Sequence, residues 1–167
     1  MTIIIQEYNP LWADYFTLEK VALGRILGNI DYRIEHIGST AVIGLGGKPV
    51  IDIMLGIFDF SIADSLFPKI ETLEYTYKKK YEKQYPFIRL FIKEKFAVRS
   101  HQIYLVEYGS QYWLKHLKFR DYLRQNKKER DRYFQFKKAL SKLHWKDIDE
   151  YNDAKSNFIN EIEANIS

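Results

Sequence analysis

After Asn9-Pro10, the apolar residues Leu11, Trp12, Tyr15, Phe16, Val21, Leu23 and Leu27 recur at roughly helical spacing. Pro10 suits a first helical turn and Gly28-Asn29 supplies a stop, so the pattern predicts a helix over 11–28. "YRIEHIG" (32–38) reads as a strand, and Ser39 to Ala41 as the start of a turn or short helix. Gly44, Gly46 and Gly47 mark a flexible connection. "PVIDIMLGI" (49–57) is a near-continuous apolar run rich in Val and Ile, the pattern of a central strand. Residues 61–73 look helical with Pro68 as an interruption, and 75–85 fit neither period. "FIRLFIKE" and "FAVRSHQIYLVEY" read as two strands of a hairpin. Helical stripes follow over 110–126, 127–143 and 149–166, carried by residues such as Trp113, Leu123, Tyr133, Leu140, Tyr151 and Phe158. "IIIQEY" (3–8) is a short strand or lead-in. There is no internal repeat and no linker-like tract. The expectation is therefore one α+β domain over residues 1–167, a mixed β-sheet with flanking helices and a helical C-terminal part.

Composition narrows the chemistry. The 167 residues contain no cysteine, which excludes disulfides, thiolate metal sites and cysteine nucleophiles. No stretch has the length and apolarity of a membrane span. The N-terminus lacks a basic start followed by a long apolar run, so a cytoplasmic location without a membrane partner is expected. The formal net charge of +4 suits an anionic ligand such as a nucleotide or phosphate. Nucleic acid is disfavoured, because the basic and aromatic residues of "YTYKKKYEKQY" equally describe an amphipathic edge.

The candidate chemistry lies in "IEHIGSTAVIGLGGKPVIDIML", residues 34–55. A P-loop needs glycine at position 42 and Ser or Thr at 49, where Val42 and Pro49 stand. A dinucleotide fingerprint also fails at Pro49. What remains is a strand ending at His36-Ile37, a turn at Gly38-Ser39, and a second strand carrying Asp52. Such a turn offers N–H and hydroxyl donors for phosphate oxygens, and a carboxylate beside it suits a hard divalent cation. Burying Asp52 without partners is costly, so it either pairs with a cation such as Lys48 or Arg33 or serves a site. Along 99–107, Arg99 and His101 share one face and Gln102 and Tyr104 the other, and alternation alone leaves open which face meets Asp52.

The Gly-Ser turn followed by a strand carrying an acid resembles the nucleotidyltransferase superfamily. More closely, the chain resembles the GrpB family, which is placed in that superfamily. "EYNPLWADYFTLEK", "IEHIGSTAVIGLGGKPVIDI", "VRSHQIYLVEYGSQYWLKHLKFRDYLR" and "YNDAKSNFI" carry the likeness, from about Glu7 to Phe158. The resemblance implies a nucleotidyltransferase-like fold that binds a nucleotide or other phosphorylated small molecule with Mg2+, and nucleotidyl transfer to an acceptor. On that reading Asp52 and His101 are catalytic, and Asp52 and His36 ligate metal. Gly38, Ser39, Thr40, Lys48, Arg99, Arg89 and Lys155 bind the ligand. The alternative is a catalytically degenerate binding module, linked to coenzyme A metabolism because GrpB-like domains occur fused to dephospho-coenzyme A kinase. Several residues depart from the pattern. Val50 stands where the first acid of an Asp-x-Asp pair belongs, Gln102 and Tyr104 stand where further histidines are expected, and Ile43 replaces a usual proline. One aspartate alone cannot clamp two metal ions. Oligomeric state is not legible in the sequence.

Overall fold

The apolar run at 49–57 forms β2 (Ile51–Ile57), and the sheet grows outward from it. The strand starts two residues later than its apolar pattern, because Pro49 has no N–H to give a ladder. β1 (Tyr32–Ile37) lies antiparallel on one side of β2. β5 (Val98–Glu107) lies parallel on the other side, followed by β4 (Ile88–Lys95) and the two-residue edge strand β3 (Thr76–Tyr77). The order β1-β2-β5-β4-β3 makes a mixed five-stranded sheet, so the α+β expectation holds. The computed structural model describes residues 1–166.

The two faces of the sheet carry different helices. Ile51, Ile53, Leu55 and Ile57 point to one face, where they pack with Trp12, Leu23 and Leu27 of α1 (Leu11–Leu27) and Ile70 of α2 (Phe67–Glu71). Pro68 does interrupt the 61–73 segment: a 3-10 stretch over Phe60–Leu66 gives way to α2 there. On the opposite face, Ile37, Met54 and Val106 meet Trp113 of α3 (Gln111–Gln125). Gly56 is small for a reason: a Cβ there would lie 2.6 Å from the Trp113 ring. α4 (Lys127–Ser141) and α5 (Ile148–Ala164) pack around Val42 and Leu45 of the glycine-bearing loop through Tyr133, Phe134 and Ile162. The 3–8 lead-in forms no strand. It is pinned by a single bridge, with Gln6 and Gly47 exchanging two backbone hydrogen bonds of 2.9 Å.

The β4–β5 hairpin forms where expected, but its turn uses unfavourable residues. Phe96 and Ala97 sit at φ 51° and 61°, backbone angles that favour Asn and Gly, and Phe96 is 90% exposed. Converting the pair to Asn-Gly (Phe96→Asn with Ala97→Gly) is expected to stabilise the fold by about 1 kcal/mol. A higher urea midpoint with an unchanged m-value would show it.

Candidate functional site

Asp52 stands on the α3/α5 face of the sheet, opposite the α1 face. Its neighbour in parallel register on β5 is Gln102, whose amide donates to Asp52 Oδ1 at 3.1 Å. Above it the chain turns at Gly38, whose φ of 74° lies in the left-handed region. A Cβ on Gly38 would fall 2.5 Å from Asp52 Oδ2, so only glycine lets the turn close over the carboxylate. Gly38→Ala is expected to cost about 2 kcal/mol or more, through the forbidden φ and the collision, and to disturb Asp52 directly. Thermal melting of the variant measures it.

Around this carboxylate the fold gathers lysines from three separate segments. Lys48 arrives from the loop before β2, Lys137 from α4 and Lys155 from α5, and all three line one cleft with Ser39 and Asp52. Lys137 is 2% exposed and donates to Ser39 Oγ at 2.6 Å and to the Gly46 carbonyl at 2.7 Å. Lys48 and Lys155 have no such anchors. Their ammonium groups lie 5.2 Å and 4.8 Å from the centre of the Tyr151 ring. The Tyr151 hydroxyl is itself buried and has no hydrogen-bond partner among the described residues.

The electrostatics follow from crowding of like charge. Burial, then repulsion by Lys48, lowers Lys155 from its ordinary value to about 7. Burial and the neighbouring lysines push Lys137 well down. Lys48 is also lowered by burial, with Asp52 opposing the shift. Burial raises Asp52 to about 6 against the pull of Lys48, Lys155, Gln102 and Lys137. Three lysines share one carboxylate, and the surplus positive charge is what an anion would neutralise. The turn at Ser39–Ala41 is only three residues long, too short for its dipole to matter, so the lysines carry the anion chemistry.

The cleft has a second lobe. Arg99, Gln102, Tyr104 and Asn152 border both lobes, which measure about 380 and 400 Å3. The second is walled by Tyr81, Tyr85, Tyr104 and Tyr112, with Asp149 and Asp153 at its rim. One helix roofs both. Ile148, Tyr151 and Lys155 of α5 face the lysine lobe, and Asp149 and Asp153, one helical turn apart, face the tyrosine lobe.

Several expected site residues stand elsewhere. His36 pairs with Ile53 and so points to the α1 face, where it stacks on Phe16 and contacts Thr40 Oγ1 at 2.9 Å. Burial and the nearby Arg124 and Arg120 lower its pKa to about 4. It is a neutral packing residue across the sheet from Asp52, and cannot share a metal ion with it. His101 pairs with Ile51 and also faces away, toward Ser100 and Glu19. Arg89, on the same far face as Leu105, pairs with Asp64 at 3.2 Å. Thr40 touches the cleft but serves as a strut, donating to the Val50 carbonyl at 3.2 Å. Gly38, Ser39, Lys48, Arg99 and Lys155 do converge with Asp52.

Arg99 reaches the cleft against simple alternation. The β4 register slips between Lys93 and Glu94, leaving Ser100 as an extra residue that moves Arg99 onto the face of Gln102. Lys137, Tyr151 and the second lobe were not anticipated. The one available signal was Lys137 itself, a charge four residues after Tyr133 on an otherwise apolar stripe. No group of three or more His, Cys, Asp or Glu side chains among the described residues is placed to hold a metal ion. Asp52 amid lysines does not fit a resident Mg2+, which prefers several oxygen ligands and a negative surround.

The sequence profile described as GrpB protein matches residues 2–165. This chain belongs to the GrpB family. A UPF0157 protein of Halalkalibacterium halodurans is 34% identical over 161 residues, spanning 96% of this chain and 80% of that protein. The Glutamate-rich protein GrpB of Alkalihalophilus pseudofirmus is 31% identical over 170 residues, 96% of this chain and 93% of its own. The crystal structure of the conserved protein GrpB from Enterococcus faecalis superposes with a TM-score of 0.87 at 34% identity, covering 98% of this chain and 96% of that one. The GrpB fold is thus shared along essentially the full length compared. No helix among the described residues is long and apolar enough to cross a membrane.

Proposed function

We propose that this GrpB protein binds a nucleotide or other phosphorylated small molecule, with the phosphate seated among Lys48, Lys137 and Lys155. The observation that carries this is the excess of lysine over carboxylate around the Gly38-Ser39 turn, with Lys137 buried and Lys48 and Lys155 half-buried. Ammonium groups withdrawn from water and sharing a single carboxylate destabilise the free protein, and an oxyanion relieves that cost. The Tyr151 ring, which Lys48 and Lys155 both approach, lines the same lobe. Mg2+ enters this reading only as a companion of the ligand's own phosphates.

Nucleotidyl transfer is the second reading, and Asp52 favours it. A carboxyl titrating at about 6 suits acceptance of a proton from an attacking hydroxyl. As the acceptor oxygen bonds to the α-phosphorus, the bond to pyrophosphate would break and the proton pass to Asp52. Val50, in place of a second acid, leaves no pair of carboxylates for two metals and favours binding without transfer.

Calorimetric titration with ATP, pyrophosphate and dephospho-coenzyme A, each with and without Mg2+, tests the reading. Binding of at least one, lost on replacing Lys155, is expected. If none binds at millimolar concentration, the phosphate reading fails. Labelled nucleotide incubated with a cell extract then separates the two versions, since transfer must vanish in Asp52→Asn.

A further inference from the structure

The two lobes of the cleft have opposite charge, and this polarity identifies what the second lobe takes. The lysine lobe holds Lys48, Lys137 and Lys155 against Asp52. The tyrosine lobe holds Asp149 and Asp153 and no lysine, with Arg99 at the shared border. Asp149 is paired with Lys80 at 3.9 Å, so the carboxylate left to repel a phosphate in the second lobe is Asp153. Tyr104 and Tyr112 both line it, are half-buried, and have no hydrogen-bond partner for their hydroxyls among the described residues. Their pKa values are pushed up by burial, with Asp52 adding to the shift, so both stay neutral and can accept as well as donate. Hydroxyls open to the lobe and unpaired with protein can meet the polar groups of a ligand there.

The protein already displays a miniature of the fit. Lys80 sets its ammonium 4.7 Å over the Tyr81 ring and 3.9 Å from Asp149, and the Tyr81 hydroxyl donates to Asp149 at 3.1 Å. Tyrosine faces and a carboxylate are the combination that binds organic cations elsewhere in proteins. Asp153, one turn further along α5, makes no ion pair among the described residues.

We infer that the tyrosine lobe is a subsite for a primary or quaternary ammonium group, so that the whole cleft takes a ligand, or a pair of ligands, with an anion at one end and an amine at the other. This rests on the phosphate reading for the lysine lobe, and narrows it. A purely anionic molecule fills half the cleft, whereas a phosphorylated amine, or a phosphate donor beside an amine acceptor, fills both.

The test is NMR titration of the full chain with four probes: inorganic phosphate, ethanolamine, phosphoethanolamine and AMP. Ethanolamine should shift the signals of Tyr81, Asp153 and Tyr112, and phosphate those of Lys48 and Ser39. Phosphoethanolamine should shift both sets and bind at least tenfold more tightly than phosphate. The pair Asp149→Asn with Asp153→Asn should remove that advantage while leaving phosphate binding unchanged. Phosphate binding without any ammonium-dependent shift in the tyrosine lobe would overturn the subsite. So would AMP gaining where phosphoethanolamine does not, because the lobe would then be reading a ring. Ammonium shifts in the absence of any phosphate binding would uphold the subsite and defeat the phosphate reading instead.

Discussion

Replacing Lys155 with methionine should weaken phosphate-ligand binding about 30- to 100-fold and, at the same time, make the free protein more stable. The loss corresponds to roughly 2–3 kcal/mol, the usual size of a hydrogen bond to a charged group in a partly desolvated site. The gain has a separate origin. Lys155 is half-buried with no carboxylate in contact, and the loss of water around it, then repulsion by Lys48, lowers its pKa to about 7. Methionine keeps the length of the stem over Tyr151 and removes the charge, so about 1–3 kcal/mol of added stability is expected. The opposite movement of affinity and melting temperature marks a residue held for a ligand. A lysine kept for structure would lower both. Lys137→Met provides the contrast. It removes hydrogen bonds to Ser39 Oγ and to the Gly46 carbonyl, and should destabilise the fold.

Anion affinity should fall as the pH rises, and the lysine lobe fixes both the sign and the range. A bound anion favours charged Lys155, whose free-state pKa is about 7, so above that value binding must take up a proton. Asp52 acts in the same direction, since ionisation above about 6 adds a negative charge beside the anion. The protonated fraction of a group with a pKa near 7 drops about tenfold between pH 6 and pH 8, so Kd should rise at least about tenfold across that interval. Sulfate is the suitable probe, because its own charge does not change there. Without ligand, the shift at Lys155 makes the folded protein gain stability from pH 7 toward pH 10.5, because the unfolded chain binds more protons in that window. A Kd for sulfate that is flat with pH, or tighter at pH 8, would exclude Lys155 and Asp52 as the groups in control.

The sheet and the heart of the site were legible because short-range patterns determine them. An apolar strand with one acid, preceded by a Gly-Ser turn, can close only if the two strands pair as neighbours, and β1 and β2 do. Lys155 announced itself as a charge on the stripe of Tyr151 and Phe158. What failed was the choice of sheet face. His36 and His101 each lie one position from a residue on the Asp52 face, and a single step in a strand turns a side chain to the other side. Arg99 was named on the family resemblance, but its face was not legible: the bulge at Ser100 breaks the period of two, and no local pattern of residues marks it. The tyrosine lobe joins residues 81–85, β5, α3 and α5, segments that meet only once the helical third of the chain has folded back over the sheet.

The lysine lobe is tested most directly by titrating Lys155 itself. In protein labelled with 13C at lysine Cε, its resonance should titrate near pH 7 in the free state and move upward by one unit or more with saturating pyrophosphate. A midpoint near the ordinary lysine value of about 10.4, indifferent to pyrophosphate, would show a solvated side chain and contradict an anion site.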